Sequence, residues 1–221
     1  MKVTYVDHMG SDLMIVNAAR KSFGAGYETW SEEPRTPRGR SDRELMFDLA
    51  GSGHYLPFRH PHITVECDAP IPVARQLGKH QVGLDWSEIS RRYKTKGIEF
   101  YRIGRTWRAD VKDRRQGSGE LLPGNKQTSL MHLEDMAIQR SIDDYLRALN
   151  MGASPEQARF LLLQGMIVSW TWTGSLLAFY HLYKLRTHPD TQLETRQFAE
   201  QCSAIMAEKY PVAWKALTRH G

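Results

Sequence analysis

Along the chain the apolar positions change period several times, and each change predicts an element. In HITVECDA (62–69), Ile63, Val65 and Cys67 alternate with Thr64, Glu66 and Asp68, the pattern of a strand with one buried face. VTYVDH near the start reads as a second strand. SDLMIVNAARKSF reads as a helix with Ser11 as its N-cap. SDRELMFDLAGSG reads as a short helix capped by Ser41 or Asp42, with Leu45, Met46 and Leu49 as its apolar stripe and Gly51 and Gly53 ending it. PIPVARQLGKHQ predicts a further helix with Pro70 or Pro72 in its first turn. Between these, 24–40 is polar and reads as a loop, and 94–126 is basic and weakly periodic, so mostly loop.

The C-terminal half reads as helical. LMHLEDMAIQRSIDDYLRALNMG has strong helix formers and stops at Gly152. SPEQARFLLLQG offers Ser154 as N-cap, Pro155 at the first helical position and Gln157 to close a capping box. TGSLLAFYHLYKLR runs on into PDTQLETRQFAEQCSAIMAEKY. A strand-bearing first half and a helical second half, without internal repeats, predict α+β or α/β architecture and one domain over 1–221.

Composition narrows the function classes. With 41% hydrophobic and 25% charged residues in 221, the chain is an ordinary globular protein able to bury a sizeable core. Its two cysteines, Cys67 and Cys202, imply no disulfide framework, fit a cytoplasmic location, and have no zinc-site spacing, so no metal is expected. The N-terminus lacks a signal peptide's apolar core, and no window approaches the ~20 apolar residues of a membrane span. A formal charge of +5 points to an anionic ligand without saying which.

Several stretches carry candidate chemistry. KHQVGLDWSEISRRY (79–93) packs Lys79, His80, Asp85, Glu88, Arg91 and Arg92 around Ser87 and Ser90, a set that fits a polar ligand or a solvated face. Glu88 can accept from a base or ribose, Ser90 can donate, and Arg92 can clamp a phosphate. GHYLPFRH puts His54, Arg59 and His60 on a Gly/Pro-flanked loop, where histidines are commonly structural. Arg75, Lys79 and His80 share one flank of a helix if it continues that far; a solvated basic face is the plain alternative. Arg159 and Arg186 interrupt or end apolar stretches, which suggests an anionic partner, although a cation in the last helical turn also suits the helix dipole. There is no GxGxxG, P-loop, GxSxG or HExxH motif, and both cysteines read as core.

In order along the chain, NAARKSF, GHYLPFRHPHITVECDAPIPVARQ, KHQVGLDWSEISRRY, EQARFLLLQG, WTWTGSLLAFYHLYKLR and TQLETRQFAE resemble the blocks of the flavin-dependent thymidylate synthases, the ThyX family. The family's Arg-His-Arg, seven residues, Ser signature is altered: Lys79-His80-Gln81 stands in its place, eight residues precede Ser90, and Ser87 replaces the usual Asn. The resemblance implies reductive methylation of dUMP to dTMP with FAD, methylenetetrahydrofolate and NADPH, in a homotetramer with active sites at subunit contacts and no cysteine nucleophile. It implies dUMP contacts at Gln76, Lys79, Glu88, Ser90, Arg91, Arg92, Arg159 and Arg186, and flavin contacts at Ser22, His54, Lys79, His80, Gln81, Val82, Glu88, Ser175 and His181. Arg186, Ser90 and His54 are the residues it places nearest the chemistry, with Ser90 as a positioning donor because no His/Asp arrangement activates it. Three other readings stay open: hydroxymethylation of a pyrimidine nucleotide on the same fold, a nucleic-acid-binding module suggested by RTPRGRSDR and KDRRQGSGE, and a structural protein with solvated charged faces.

Overall fold

A computed structural model describes residues 1–35, 39–112 and 117–219. Parts of both basic stretches, RTPRGRSDR and KDRRQGSGE, lie outside the described residues.

Four strands form one antiparallel sheet in the order β1-β2-β4-β3: β1 Lys2–Met9, β2 His62–Pro70, β3 Leu84–Glu88 and β4 Ile167–Ser175. The β2 alternation holds: Ile63, Val65, Cys67 and Ala69 are buried, and Cys67 pairs across the ladder with Trp170. The opposite face carries a polar ladder, in which Ser169 donates to Asp68, Thr171 donates to Glu66, and Thr64 meets Thr173.

The buried face is covered by helices. α1 (Asp12–Arg20) is capped by Ser11, and α2 (Asp42–Gly51) by Ser41 through a full capping box with Glu44. Buried Arg20 in α1 pairs with buried Asp42 in α2 at 2.5 Å, and Asp42 also accepts from the Ser31 amide, which ties Ser31 to the start of α2. The remaining helices are α3 (Ile71–Leu77), α4 (Gly124–Asn150), α5 (Pro155–Ala158), α6 (Leu176–Arg186), α7 (Leu193–Lys209) and α8 (Pro211–Thr218). Trp170 stacks on Phe198 of α7 and Trp172 meets Phe179 of α6 edge-on, so the widest side chains of β4 lock both helices to the sheet.

Three expectations are corrected. The C-terminal half is not all helix, because IVSWTWTGS alternates aromatic or β-branched residues with small polar ones and forms β4, an inner strand. The capping box at Ser154 does not form: Ser154 stands at the N-cap of α5 without a side-chain cap, and α5 is only 4 residues long before a 3-10 turn over Arg159–Leu161. Arg159 is consequently half-buried, and its neighbour Phe160 is 82% exposed, so it is not a charge sunk in an apolar helix. Finally, α3 stops at Leu77, so Lys79 and His80 lie in the turn that leads to β3, not on a helical flank.

Candidate active site

Two adjoining cavities open where α3, β3 and the end of α6 meet, and Lys79 lines both. The larger, about 1000 Å³, takes Lys79, His80, Gln81, Glu88, Ser90, Arg91 and Arg159 among its walls. Leu84, Trp86, Leu162, Met166 and Val168 supply its apolar side. The smaller, about 610 Å³, is bounded by Gln76, Lys79 and Arg186, by the start of α7, and by Trp107 and Arg108 from the long loop before α4. Cations therefore converge on a space with an apolar wall, which suits a ligand that is anionic at one end and flat or apolar at the other.

Within the smaller cavity Arg186 is held firmly. Its Nε donates to His80 Nε2 at 2.9 Å and its Nη2 to the Gln76 carbonyl at 2.8 Å. Burial, and then the charge of Arg186, pushes His80 down to about 4, so at neutral pH its ring is uncharged and free to accept. Burial also lowers Arg186 from the usual guanidinium value. The Gln76 side chain is fixed from both ends: its Nε2 donates to Gln192, and its Oε1 accepts from the buried Thr195 hydroxyl.

In the larger cavity Trp86 Nε1 donates to Glu88 at 3.1 Å, leaving the carboxylate's other oxygen for a partner. Trp86 itself stacks on Trp170 with ring centroids 4.0 Å apart. Arg91 donates to the carbonyls of Lys94, Lys96 and Gly97, so it shapes the loop after β3 as well as lining the cavity. Arg92 lines neither cavity; exposed, it donates to the Tyr93 hydroxyl and lies 3.7 Å from Glu156.

The remaining expected residues gather around the start of α6 or lie apart. Ser175 is the buried N-cap of α6, and the Gly83 turn beside exposed Val82 packs against it. His181 is exposed on α6, edge-on to Tyr55, the residue after exposed His54. Ser22 sits on the exposed turn after α1.

Sequence reasoning missed Trp86, Gln192 and Thr195. The alternation in LDWSE was the available signal for Trp86; beyond their place in the TQLETRQFAE block nothing marked Gln192, the N-cap of α7, or Thr195 within it, and both act through Gln76 from more than a hundred positions away. Cys67 and Cys202 are buried, and burial pushes both thiols well above their ordinary value, which leaves no thiolate nucleophile.

A profile of the Thy1 family, described as thymidylate synthase complementing protein, matches residues 4–212. The chain belongs to the Thy1 family. Among similar members, a flavin-dependent thymidylate synthase of Thermus thermophilus is 34% identical over 99% of this chain and 76% of its own length. Another from Thermosipho africanus is 31% identical over 97% of this chain and 89% of its own. Among solved structures, a UMP/dUMP methylase, PolB, from Streptomyces cacaoi with bound 5-Br UMP superposes with a TM-score of 0.85 at 28% identity, covering 100% of this chain and 94% of that one. This Thy1 chain thus shares its fold and most of its length with enzymes of one reaction class. Among its described residues no helix is long and apolar enough to cross a membrane.

Proposed function

We propose that this Thy1-family protein is a flavin-dependent thymidylate synthase that converts dUMP to dTMP, with FAD as cofactor and methylenetetrahydrofolate and NADPH as co-substrates. The observation that carries the reading is the fixed Arg186 guanidinium in the wall of the smaller of two adjoining cation-lined cavities, in a chain of this family.

The donor set fits a flavin dinucleotide. Lys79 and Gln81 supply positive charge and hydrogen bonds for its phosphates, and Trp86, Leu84 and Leu162 supply an apolar wall for a ring system. Ser175, His181, His54, Val82 and Ser22 extend the flavin contacts around the start of α6 and, from a second copy, across a subunit boundary. When bound and reduced, flavin supplies the hydride, and the folate supplies the one-carbon unit.

The chain's own groups bind and orient the nucleotide. Arg159 and Ser90 hold the phosphate, joined by Arg92 from a neighbouring copy, Glu88 accepts from the ribose or base, and Gln76 and Arg186 face the pyrimidine. Arg186 stabilises charge that develops on the pyrimidine carbonyl as C5 becomes nucleophilic, a contribution of about 3 kcal/mol for a preorganised donor. No protein thiol is asked to attack the ring.

A single protomer leaves much of α4 bare. Of its 27 residues the buried ones are Gln127, Ile138, Ser141 and Tyr145, while Leu133 is 58% and Met136 65% exposed. Exposed Phe160 and Tyr93 flank the cleft, and with α4 they support a homotetramer in which a second copy completes each site. Likeness to a UMP/dUMP methylase carries a second reading, in which UMP is accepted as well.

Incubation with FAD, NADPH, methylenetetrahydrofolate and dUMP or UMP, followed by product mass, tests these statements together. A methyl increment on dUMP supports the proposal, a hydroxymethyl increment redirects it, and unchanged nucleotide refutes it.

A further inference from the structure

Arg186 ends α6, yet one edge of its guanidinium is already engaged: Nε by the His80 ring and Nη2 by the Gln76 carbonyl. Two contacts on one edge of a planar fork fix its plane, and they leave Nη1 and the second Nη2 hydrogen for a ligand. Each holder is itself anchored. The His80 amide donates to the Leu77 carbonyl at 2.9 Å, and Gln76 is fixed by Gln192 and Thr195. His80 lines the larger cavity while the arginine it grips lines the smaller, so the ring stands between the two.

We propose that His80 is a positioning residue for Arg186: its Nε2, as a hydrogen-bond acceptor, sets the orientation in which the guanidinium meets the pyrimidine nucleotide. This role is additional to any contact His80 makes with flavin, and it rests on the function proposed above. Acceptance at Nε2 puts the neutral ring's proton on Nδ1, on the side away from Arg186. The ring is kept neutral chiefly by its burial.

Side-chain length gives the test. Glutamine at position 80 can place an amide oxygen near the Nε2 position, whereas asparagine is one methylene too short. His80→Gln and His80→Asn are compared in the flavin-loaded protein, with flavin content, dUMP affinity and the kcat and KM for dUMP measured for each. The expected result is the same flavin content in the two variants, a dUMP affinity for His80→Gln within about threefold of the wild type, and a loss of about tenfold or more for His80→Asn. In an Arg186→Lys background, which has no Nε hydrogen at that place, the difference between the two variants should vanish.

Equal behaviour of His80→Gln and His80→Asn overturns the inference, as does a difference that persists with Arg186→Lys. A wild-type protein that neither binds nor turns over dUMP refutes the proposed function instead, so the two failures are distinguishable.

Discussion

Arg186 stands in the last turn of α6, where the helix dipole favours a cation whatever its function. Its donors, however, turn sideways to His80 and Gln76, an arrangement the dipole does not require. Arg186→Ala should therefore lower turnover by about a hundredfold or more while bound flavin, followed by absorbance, stays near the wild-type level. The two cysteines lie at the other extreme. Cys67→Ala and Cys202→Ala should keep turnover and cost about 1 kcal/mol each in denaturant unfolding, the loss of a small buried group. His80 adds a pH dependence whose sign follows from its lowered value: between about pH 6.5 and 4 the unfolded chain takes up a proton that the folded ring refuses. Stability should fall as pH drops through that window and show no contribution from His80 above it. The gap between thermal melts of wild type and His80→Gln should change as pH falls through that window and then hold steady below it. The sequence marked most of the polar lining of the larger cavity, because charged and amide side chains clustered in 76–92 are hard to explain as core. It could not show that His80 and Arg186 touch, since the contact spans 106 positions.

The seam between β3 and β4 decides whether the cavities keep their shape. Gly174 pairs with Leu84, and a Cβ there would lie 2.3 Å from the Gly83 carbonyl oxygen and 2.5 Å from Leu84 Cδ2. Backbone cannot yield as a flexible side chain can, so Gly174→Ala should cost about 3 kcal/mol or more, read as a lowered denaturation midpoint. By contrast Ser41→Ala removes a capping box remote from the cavities and should cost about 1 kcal/mol with turnover unchanged. Elements with a clean period and a capping residue, such as α1, α2 and β2, were legible in the sequence. β3 and β4 were not. LDWSE is short and polar, and IVSWTWTGS is bracketed by leucine-rich segments whose apolar content suggested one continuous helical region. The Ser154 box was misread because the local pattern was right but Phe160 and its neighbours turn outward instead of continuing the helix.

The whole molecule supplies what one protomer lacks. α4 shows solvent most of its surface, and Arg92, Ser22, His54, Val82, Ser175 and His181 stand outside the two cavities that hold the other expected residues. Light scattering should give a mass four times that of the 25.4 kDa chain; a monomer would contradict a site built across copies. Family membership was legible because six blocks occur in order, whereas the altered Lys79-His80-Gln81 signature could be interpreted only once its turn was seen between two cavities. The central claim is reductive methylation of dUMP on a flavin without a protein thiol. Its most direct test is the product formed by the Cys67→Ala, Cys202→Ala double variant, loaded with FAD and given dUMP, methylenetetrahydrofolate and NADPH. The expected result is that the flavin absorbance bleaches with NADPH and that dTMP appears by mass. A double variant that binds flavin and dUMP but leaves the nucleotide unchanged, beside an active wild type, would contradict it.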